Sequence, residues 1–466
     1  MNKASEMIQK GRCGYFIGIG GMGMSALAQV CASKGIRVFG SDQQLGAISK
    51  KFEEVKISVQ IGHSGYFAER PDFIVYSSAI SATNPDILEA RRLGIPMYHR
   101  AEALAAVIGN DTLISVLGAH GKSTSSALAS FLLWESGFEP TCLVGAHMLN
   151  FGNNAVIGQP DLFVAEIDES DRSHLQFSPI FALITNLDAE HLDVYQGLDD
   201  LKTTFGLFAG KVKQAGKIIY CLDDPNLTEV MAPYGEQTVS YGFQKEADFW
   251  ATEPEFEGLE SSFTFFERGV RVGEVKLSIP GLHNISNALG VIALIRSYGV
   301  PYERFLHRMA AFQGVGRRLQ VKWSEPELLI IDDYAHHPTE IRASLSAIKG
   351  LRKKTTVVFQ PHRYSRTEML AREFSEAFDD ADKVFLTDIY GASEINSRQV
   401  SSALIYDLVQ NRGSKRMQLV PKQDIISTLE SSLTESETVL FMGAGDIGAI
   451  ANAFAARHEK VPSHEC

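Results

Sequence analysis

Short runs of aliphatic and aromatic residues alternate along the chain with longer segments patterned in alanine and leucine. The runs lie at 15–17, 36–39, 73–76, 112–116, 162–165, 181–184, 328–331, 356–359, 384–386 and 438–441. Continuous apolar runs of this length suit strands buried on both faces of a sheet, and their alternation with helical segments predicts an α/β fold with parallel sheets. From about 238 to 280 the rhythm changes to short strands that suit antiparallel pairing, and a helix begins near Asn284.

Three of the runs end in glycine turns that open a helical segment. The first carries Gly18, Gly20 and Gly23, the second Gly118 and Gly121, the third Gly443, Gly445 and Gly448. One domain around each turn is expected: a Rossmann-like domain at 1–107, a P-loop-type central domain at 108–313 and a Rossmann-like C-terminal domain at 314–466. Gly314 and Gly316, followed by Arg317 and Arg318, form a natural hinge.

The second turn is the most specific. Gly118, Ala119, His120, Gly121, Lys122, Ser123 and Thr124 lie between a strand and a helix. Such a turn aims backbone N–H groups and a helix N-terminus at a phosphate. Lys122 would reach phosphate oxygens and Ser123 would sit on Mg²⁺. The glycine spacing is shorter than in the usual G-x-x-x-x-G-K-[ST] loop. The first turn, with Asp42 after the next strand, fits a diphosphate site, either of a dinucleotide or of a UDP-sugar. A purely structural turn has the same spacing.

Acids follow two further strands. Glu166, Asp168, Glu169 and Asp171 end one run, and Asn186, Asp188, His191 and Asp193 end another. In α/β sheets ligands bind at the carboxyl ends of strands, and oxygen ligands suit Mg²⁺. Acidic surface loops have the same composition, but two such ends beside the second turn favour a Mg-nucleotide site. His283, Asn284 and Asn287 start a helix, either capping it or reading a purine edge. Asp332, Asp333, Tyr334, His336 and His337 end another strand. Gln360, His362, Arg363 and Arg366 end the next, where guanidinium groups clamp phosphates or carboxylates.

Bulk properties narrow the class. The chain has 466 residues, 45% of them hydrophobic and 21% charged, with a net charge of −12. The acidic balance argues against a general nucleic-acid binder. No apolar run approaches the roughly 18 residues of a membrane span. The five cysteines are scattered without a Cys-x-x-Cys pair, which fits reduced thiols in a cytoplasm and no structural zinc.

Taken together, these segments are similar to the Mur ligase family of ATP-dependent amide-forming enzymes. The resemblance runs from about residue 14 to about 450 and rests on Gly18–Ser25, Gly118–Thr124, Glu166–Asp171, Asn186–Tyr195, Asp332–Glu340 and Gln360–Thr367, in that order. It implies a UDP-sugar on the first domain, touching Gly18, Gly20, Gly21, Met22, Gly23, Ser25, Asp42 and Ser78. It implies ATP at Gly118–Thr124, with His283 and Asn287 near the adenine, Asp332 or Asp333 near the ribose and Arg318 at the γ-phosphate. Mg²⁺ would be held by Ser123 and Glu166, with His191 on a second Mg²⁺ and near substrate. His336, Arg363 and Arg366 would face the sugar's carboxylate and the incoming amino acid, His336 or a nearby acid being the candidate base.

The implied reaction joins L-alanine to the lactyl carboxylate of UDP-N-acetylmuramate through an acyl phosphate, by a monomer or homodimer acting on small molecules. The C-terminal domain would close to exclude water. Where the family commonly has threonine, this chain has Ala119 and Ser123, so one loop hydroxyl is lost and one kept. No lysine is assigned a carbamylated role. The rival readings are a related murein-peptide ligase, a dinucleotide-dependent oxidoreductase resting on the first and third glycine turns, and a nucleotide-binding regulator without catalysis.

Overall fold

The computed structural model describes residues 8, 11–46, 48–188, 194–349, 351–352, 354–392, 394–434 and 436–458. It is an α/β structure with three sheets. The chain divides into two compact units, one of residues 1–254, 262–277 and 284–315, the other of 255–261, 278–283 and 316–466.

The first unit holds two sheets. One has five parallel strands in the order Ser58–Ile61, Arg37–Asp42, Cys13–Ile17, Phe73–Tyr76, Met97–His99. Tyr15, Ile17, Ile74, Ile87, Ala90 and Ile95 form a core on one face. The helix Pro85–Leu93 starts at Asn84, whose side chain accepts the Asp86 N–H, and ends at Gly94 with φ 64°. A side-chain cap and a left-handed glycine are the usual stop signals at the two ends.

The second sheet has ten strands, with Thr112–Leu117 inside it between Phe181–Ile184 and Gln159–Glu166, parallel to both. Its carboxyl edge therefore gathers the loops after 117, 166 and 184. At one margin Pro140–Met148 pairs antiparallel with Asn153–Val156. At the other, Phe249–Glu257, Glu260–Glu267 and Val270–Leu277 are neighbours joined at Gly258 and Gly269, both with positive φ. The expected helix after this stretch spans Leu282–Tyr298.

The second unit is built on six strands in the order Gln320–Ser324, Leu328–Asp333, Glu437–Met442, Lys354–Phe359, Lys383–Leu386, Met417–Leu419. Alternate residues serve opposite faces: Leu329, Ile331, Val357 and Phe359 join one core, Leu328, Ile330, Val358 and Phe441 the other. That is why these strands read as unbroken apolar runs. Only the edge strand Gln320–Ser324 is antiparallel, with an irregularity between Val321 and Trp323. Among the described residues no helix is long and apolar enough to cross a membrane.

Candidate functional site

The phosphate-loop segment folds as its sequence predicts: strand Thr112–Leu117, turn, helix Lys122–Glu135. Both glycines are required. Gly118 has φ 137° and Gly121 φ 81°, and an added Cβ would lie 2.2 Å from Thr185 Oγ1 or 2.4 Å from Asn287 Oδ1. Asn186 clamps the loop from the end of the next strand. Its Oδ1 accepts the His120 N–H at 2.8 Å, its Nδ2 donates to His120 O at 3.0 Å, and its own carbonyl accepts the Ala119 N–H. Thr185 Oγ1 also donates to His120 O. With the N–H groups of residues 119 and 120 so engaged, those at the start of the helix are left for an anion, since a helix leaves its first N–H groups without internal partners. No side chain caps this helix.

Lys122 lies within the loop. Its Nζ donates to Gly118 O at 2.5 Å, Ala119 O at 3.1 Å and Glu169 Oε1 at 2.9 Å. Burial opposes its charge, but Glu169, Asp168 and Glu166 outweigh that and raise its pKa, so it stays an ammonium. Glu166 takes the Ser123 hydroxyl at 3.0 Å and the Gly145 N–H at 2.6 Å. Its carboxyl is raised by burial, which Lys122 offsets in part. An added Cβ at Gly145 would lie 2.7 Å from Glu166 Oε1. A half-buried carboxylate joined to a hydroxyl at a phosphate loop is a donor set suited to Mg²⁺. His191 lies outside the described residues.

The first glycine turn borders a cavity of about 860 Å³, lined among others by Gly18, Gly20, Gly21, Met22, Gly23, Asp42, His63, Ser78, Arg100 and Asp168. Asp42 accepts the Gly20 N–H at 2.8 Å and so shapes the turn. Ser25 departs from the sequence reading. It is fully buried and absent from the lining, its hydroxyl donating to Met22 O and accepting from Asn154 Nδ2 at 2.9 Å. Its role is to fix the turn's helix. Arg100, the first residue of the helix Arg100–Ile108, went unread because the strand before it, Met97–His99, is too short to stand out in the sequence.

The acids after Gln159–Glu166 divide their work. Asp168 pairs with Arg100 at 3.4 Å, Glu169 with Lys122, and Asp171 with Ser78 at 3.0 Å and His99 at 3.3 Å. Asn287, buried, stands over Gly121.

In the second unit Arg318 Nη1 donates to Glu340 at 3.2 Å, and its guanidinium lies over the Tyr334 ring. His283 is exposed, and next to it Gly281 leaves no room for a Cβ. Asp333, expected near the ribose, is buried, its oxygens accept the Leu319 and Ala335 N–H groups, and burial lifts its pKa to about 6. Asp332 is buried against Arg317 and Lys322. Both acids brace the strand end. His337 caps the helix Pro338–Ile348.

His336 Nδ1 lies 3.0 Å from Tyr334 O, so Nδ1 carries the proton and Nε2 the lone pair. Burial depresses its pKa to about 3 despite Glu340. An imidazole held that low accepts a hydrogen bond but is a poor carrier of an ammonium's proton. Arg366 donates to His362 at 3.4 Å, and His362 stacks on Tyr390. Arg363 has φ 71°, a strained backbone of the kind that collects at functional sites.

The third glycine turn is closed. The Ile447 N–H donates to Gln360 Oε1, and a Cβ at Gly445 would lie 2.4 Å from that atom. A turn plugged by its neighbour's side chain has no room for a diphosphate, which removes half the basis of the oxidoreductase reading. A second cavity of about 940 Å³ lies among Asp379–Asp382 and Arg412–Arg416. Its arginines are spent on carbonyls of residues 375, 378, 379 and 381.

Three family models match in series: the Mur ligase family catalytic domain at 15–112, the Mur ligase middle domain at 116–295 and the Mur ligase glutamate ligase domain at 317–445. The chain belongs to the Mur ligase family. It is 39% identical over 435 residues to the UDP-N-acetylmuramate–L-alanine ligase of Geotalea daltonii, covering 93% of this chain and 95% of that protein. It is 36% identical to the enzyme of the same name from Syntrophus aciditrophicus, over 98% of this chain and 95% of that one. The crystal structure of the UDP-N-acetylmuramate–alanine ligase of Thermotoga maritima superposes with a TM-score of 0.83 at 29% identity, covering 96% and 99% of the two chains. A murein peptide ligase from Psychrobacter arcticus shares the fold, with a TM-score of 0.73 at 22% identity over 97% and 100%.

Proposed function

We propose that this Mur ligase joins L-alanine to the lactyl carboxylate of UDP-N-acetylmuramate at the expense of ATP, in peptidoglycan precursor synthesis. The observation that carries this reading is the phosphate loop with its Lys122, Ser123 and Glu166, next in the same unit to a glycine-lined cavity, in a chain whose near-full-length relatives bear that ligase's name.

The chemical difficulty is charge, because a carboxylate must attack the γ-phosphorus of a polyanion. Lys122, leaving Glu169 for the phosphates, offsets that repulsion, as does Arg318 at the γ-phosphate. Ser123, Glu166 and His191 would hold Mg²⁺, which adds further charge stabilisation. The N–H groups at the start of Lys122–Glu135 bind the phosphate chain, and Asn287 and His283 flank the base. Arg363 and Arg366 orient the sugar's carboxylate and the alanine carboxylate. His336 accepts a hydrogen bond from the alanine nitrogen through Nε2, orienting it toward the acyl carbon. Attack of the lactyl carboxylate on the γ-phosphorus expels ADP and gives the acyl phosphate; the neutral amine of alanine adds to its acyl carbon, and the tetrahedral adduct expels phosphate, which takes up the amine's proton, leaving the amide.

The test is phosphate release with ATP, UDP-N-acetylmuramate and a panel of amines. Release that needs both the UDP-sugar and L-alanine supports the reading. Release with L-alanyl-D-glutamyl-diaminopimelate but not with alanine would convert it to the murein-peptide reaction, and none with any amine would end it.

A further inference from the structure

The glycine-lined cavity has one cationic side chain that the sequence reading did not assign. Arg100 is the only lysine or arginine among its described lining residues, which also include two acids, Asp42 and Asp168. A dianion entering there meets two carboxylates, and Arg100 is the side-chain cation set against them.

The turn is built around this guanidinium. A Cβ at Gly23, third glycine of the turn, would lie 2.3 Å from Arg100 Nη1. Glycine at 23 therefore makes room for the arginine as well as for backbone approach. Beside it the twelve-residue helix Met22–Ser33 begins at Gly21 without a side-chain cap, so its first N–H groups face the cavity without internal partners. A helix start and a guanidinium converging on one cavity bind phosphate oxygens in complementary ways, one by dipole and N–H, the other by a planar fork.

Arg100 is paired with an acid of the same lining. Its Nη2 lies 3.4 Å from Asp168 Oδ2, longer than the roughly 2.7–2.9 Å of a tight charge-assisted hydrogen bond. Asp168 is held independently, its Oδ1 accepting the Ser170 N–H at 2.9 Å. The pair is thus loose on the arginine's side and fixed on the acid's.

We propose that Arg100 binds the diphosphate of the sugar nucleotide, and that Asp168 holds it in reserve and competes with that anion for it. The proposal rests on the assignment of this cavity to the UDP-sugar. It predicts opposite effects from the two halves of one ion pair, which a merely structural pair would not produce.

The experiment is calorimetric titration of the full chain, without ATP, by UDP and by UMP. The wild-type protein should favour UDP by about ten-fold or more, the value of one charge-assisted phosphate contact. Arg100→Ala should bring the two ligands within about two-fold, and Arg100→Lys should keep part of the preference. Asp168→Asn should tighten UDP by about three-fold or more, and UMP, with its single phosphate, by less, because the anion's competitor for Arg100 has been removed. An Arg100→Ala protein that keeps the wild-type preference, or an Asp168→Asn protein that binds UDP more weakly, overturns the proposal while leaving the cavity assignment standing. A wild-type protein that binds neither UDP nor UDP-N-acetylmuramate overturns both. Should Arg100→Ala fail to fold, the sign of the Asp168→Asn effect still decides.

Discussion

Lys122 has three acceptors within the protein itself: two loop carbonyls and Glu169. ATP must therefore replace an existing ion pair, and what Lys122 contributes to turnover is the difference between its hold on phosphate and its hold on Glu169. Lys122→Ala should still lower kcat by about two orders of magnitude or more, the usual cost of losing a cation aimed at developing charge, with little change in thermal unfolding. Turnover within a few-fold of wild type would remove Lys122 from the mechanism. Gly121→Ala meets both a φ of 81° and the Asn287 side chain. It should weaken ADP binding and cost about 1–3 kcal/mol of stability, measured by titration and by denaturant unfolding. At this scale the sequence showed residue types clearly and burial poorly. Ser25 and Asp333 have the right chemistry for ligand contacts, but Asn154 takes up the Ser25 hydroxyl, and Leu319 and Ala335 each bond one Asp333 oxygen. Those partners are distant or ordinary in the sequence, so nothing in the local pattern announced them.

At the level of elements, the loops that matter sit at the carboxyl ends of neighbouring parallel strands, and the apolar runs located them correctly. What the runs did not convey is which loop supports which. Asn186, at the end of Phe181–Ile184, sets the conformation of a loop that begins sixty-odd residues earlier, through paired bonds to His120. Asn186→Ala should raise the KM for ATP by about ten-fold, the loss of two hydrogen bonds that shape a binding loop, and leave the KM for the UDP-sugar unchanged. A rise in both would show a general structural defect instead. The same lesson holds for the third glycine turn, where Gln360, from another strand, fills the space that spacing alone suggested was open.

Across the whole molecule, titration and connectivity matter more than single contacts. Burial holds His336 near 3 and His362 near 4, whereas in the unfolded chain both take a proton near the ordinary 6.5. Below that value the unfolded state binds more protons than the folded one, so stability is full above about pH 6.5 and falls as the pH drops toward 4. Asp333, raised to about 6, acts in the opposite sense between about 6 and 4, as do the carboxyls of Glu166 and Asp332, raised by burial, but His174, lowered by burial, and the carboxylates of Asp168 and Asp446, held low by their partners, side with the two imidazoles. Unfolding midpoints should decline from pH 7 to pH 4.5, and His362→Gln should flatten the decline. An equally steep profile in that variant would refute the assignment.

Residues 255–261 and 278–283 belong to the C-terminal unit although the chain supplies them from within the first, and Leu259 packs on that unit's core. The C-terminal unit of this chain therefore cannot be exchanged by a single crossover at residue 316. A chimera that imports a foreign C-terminal part must bring matching versions of both excursions with it, or the transplanted core will lack a piece it was selected to have.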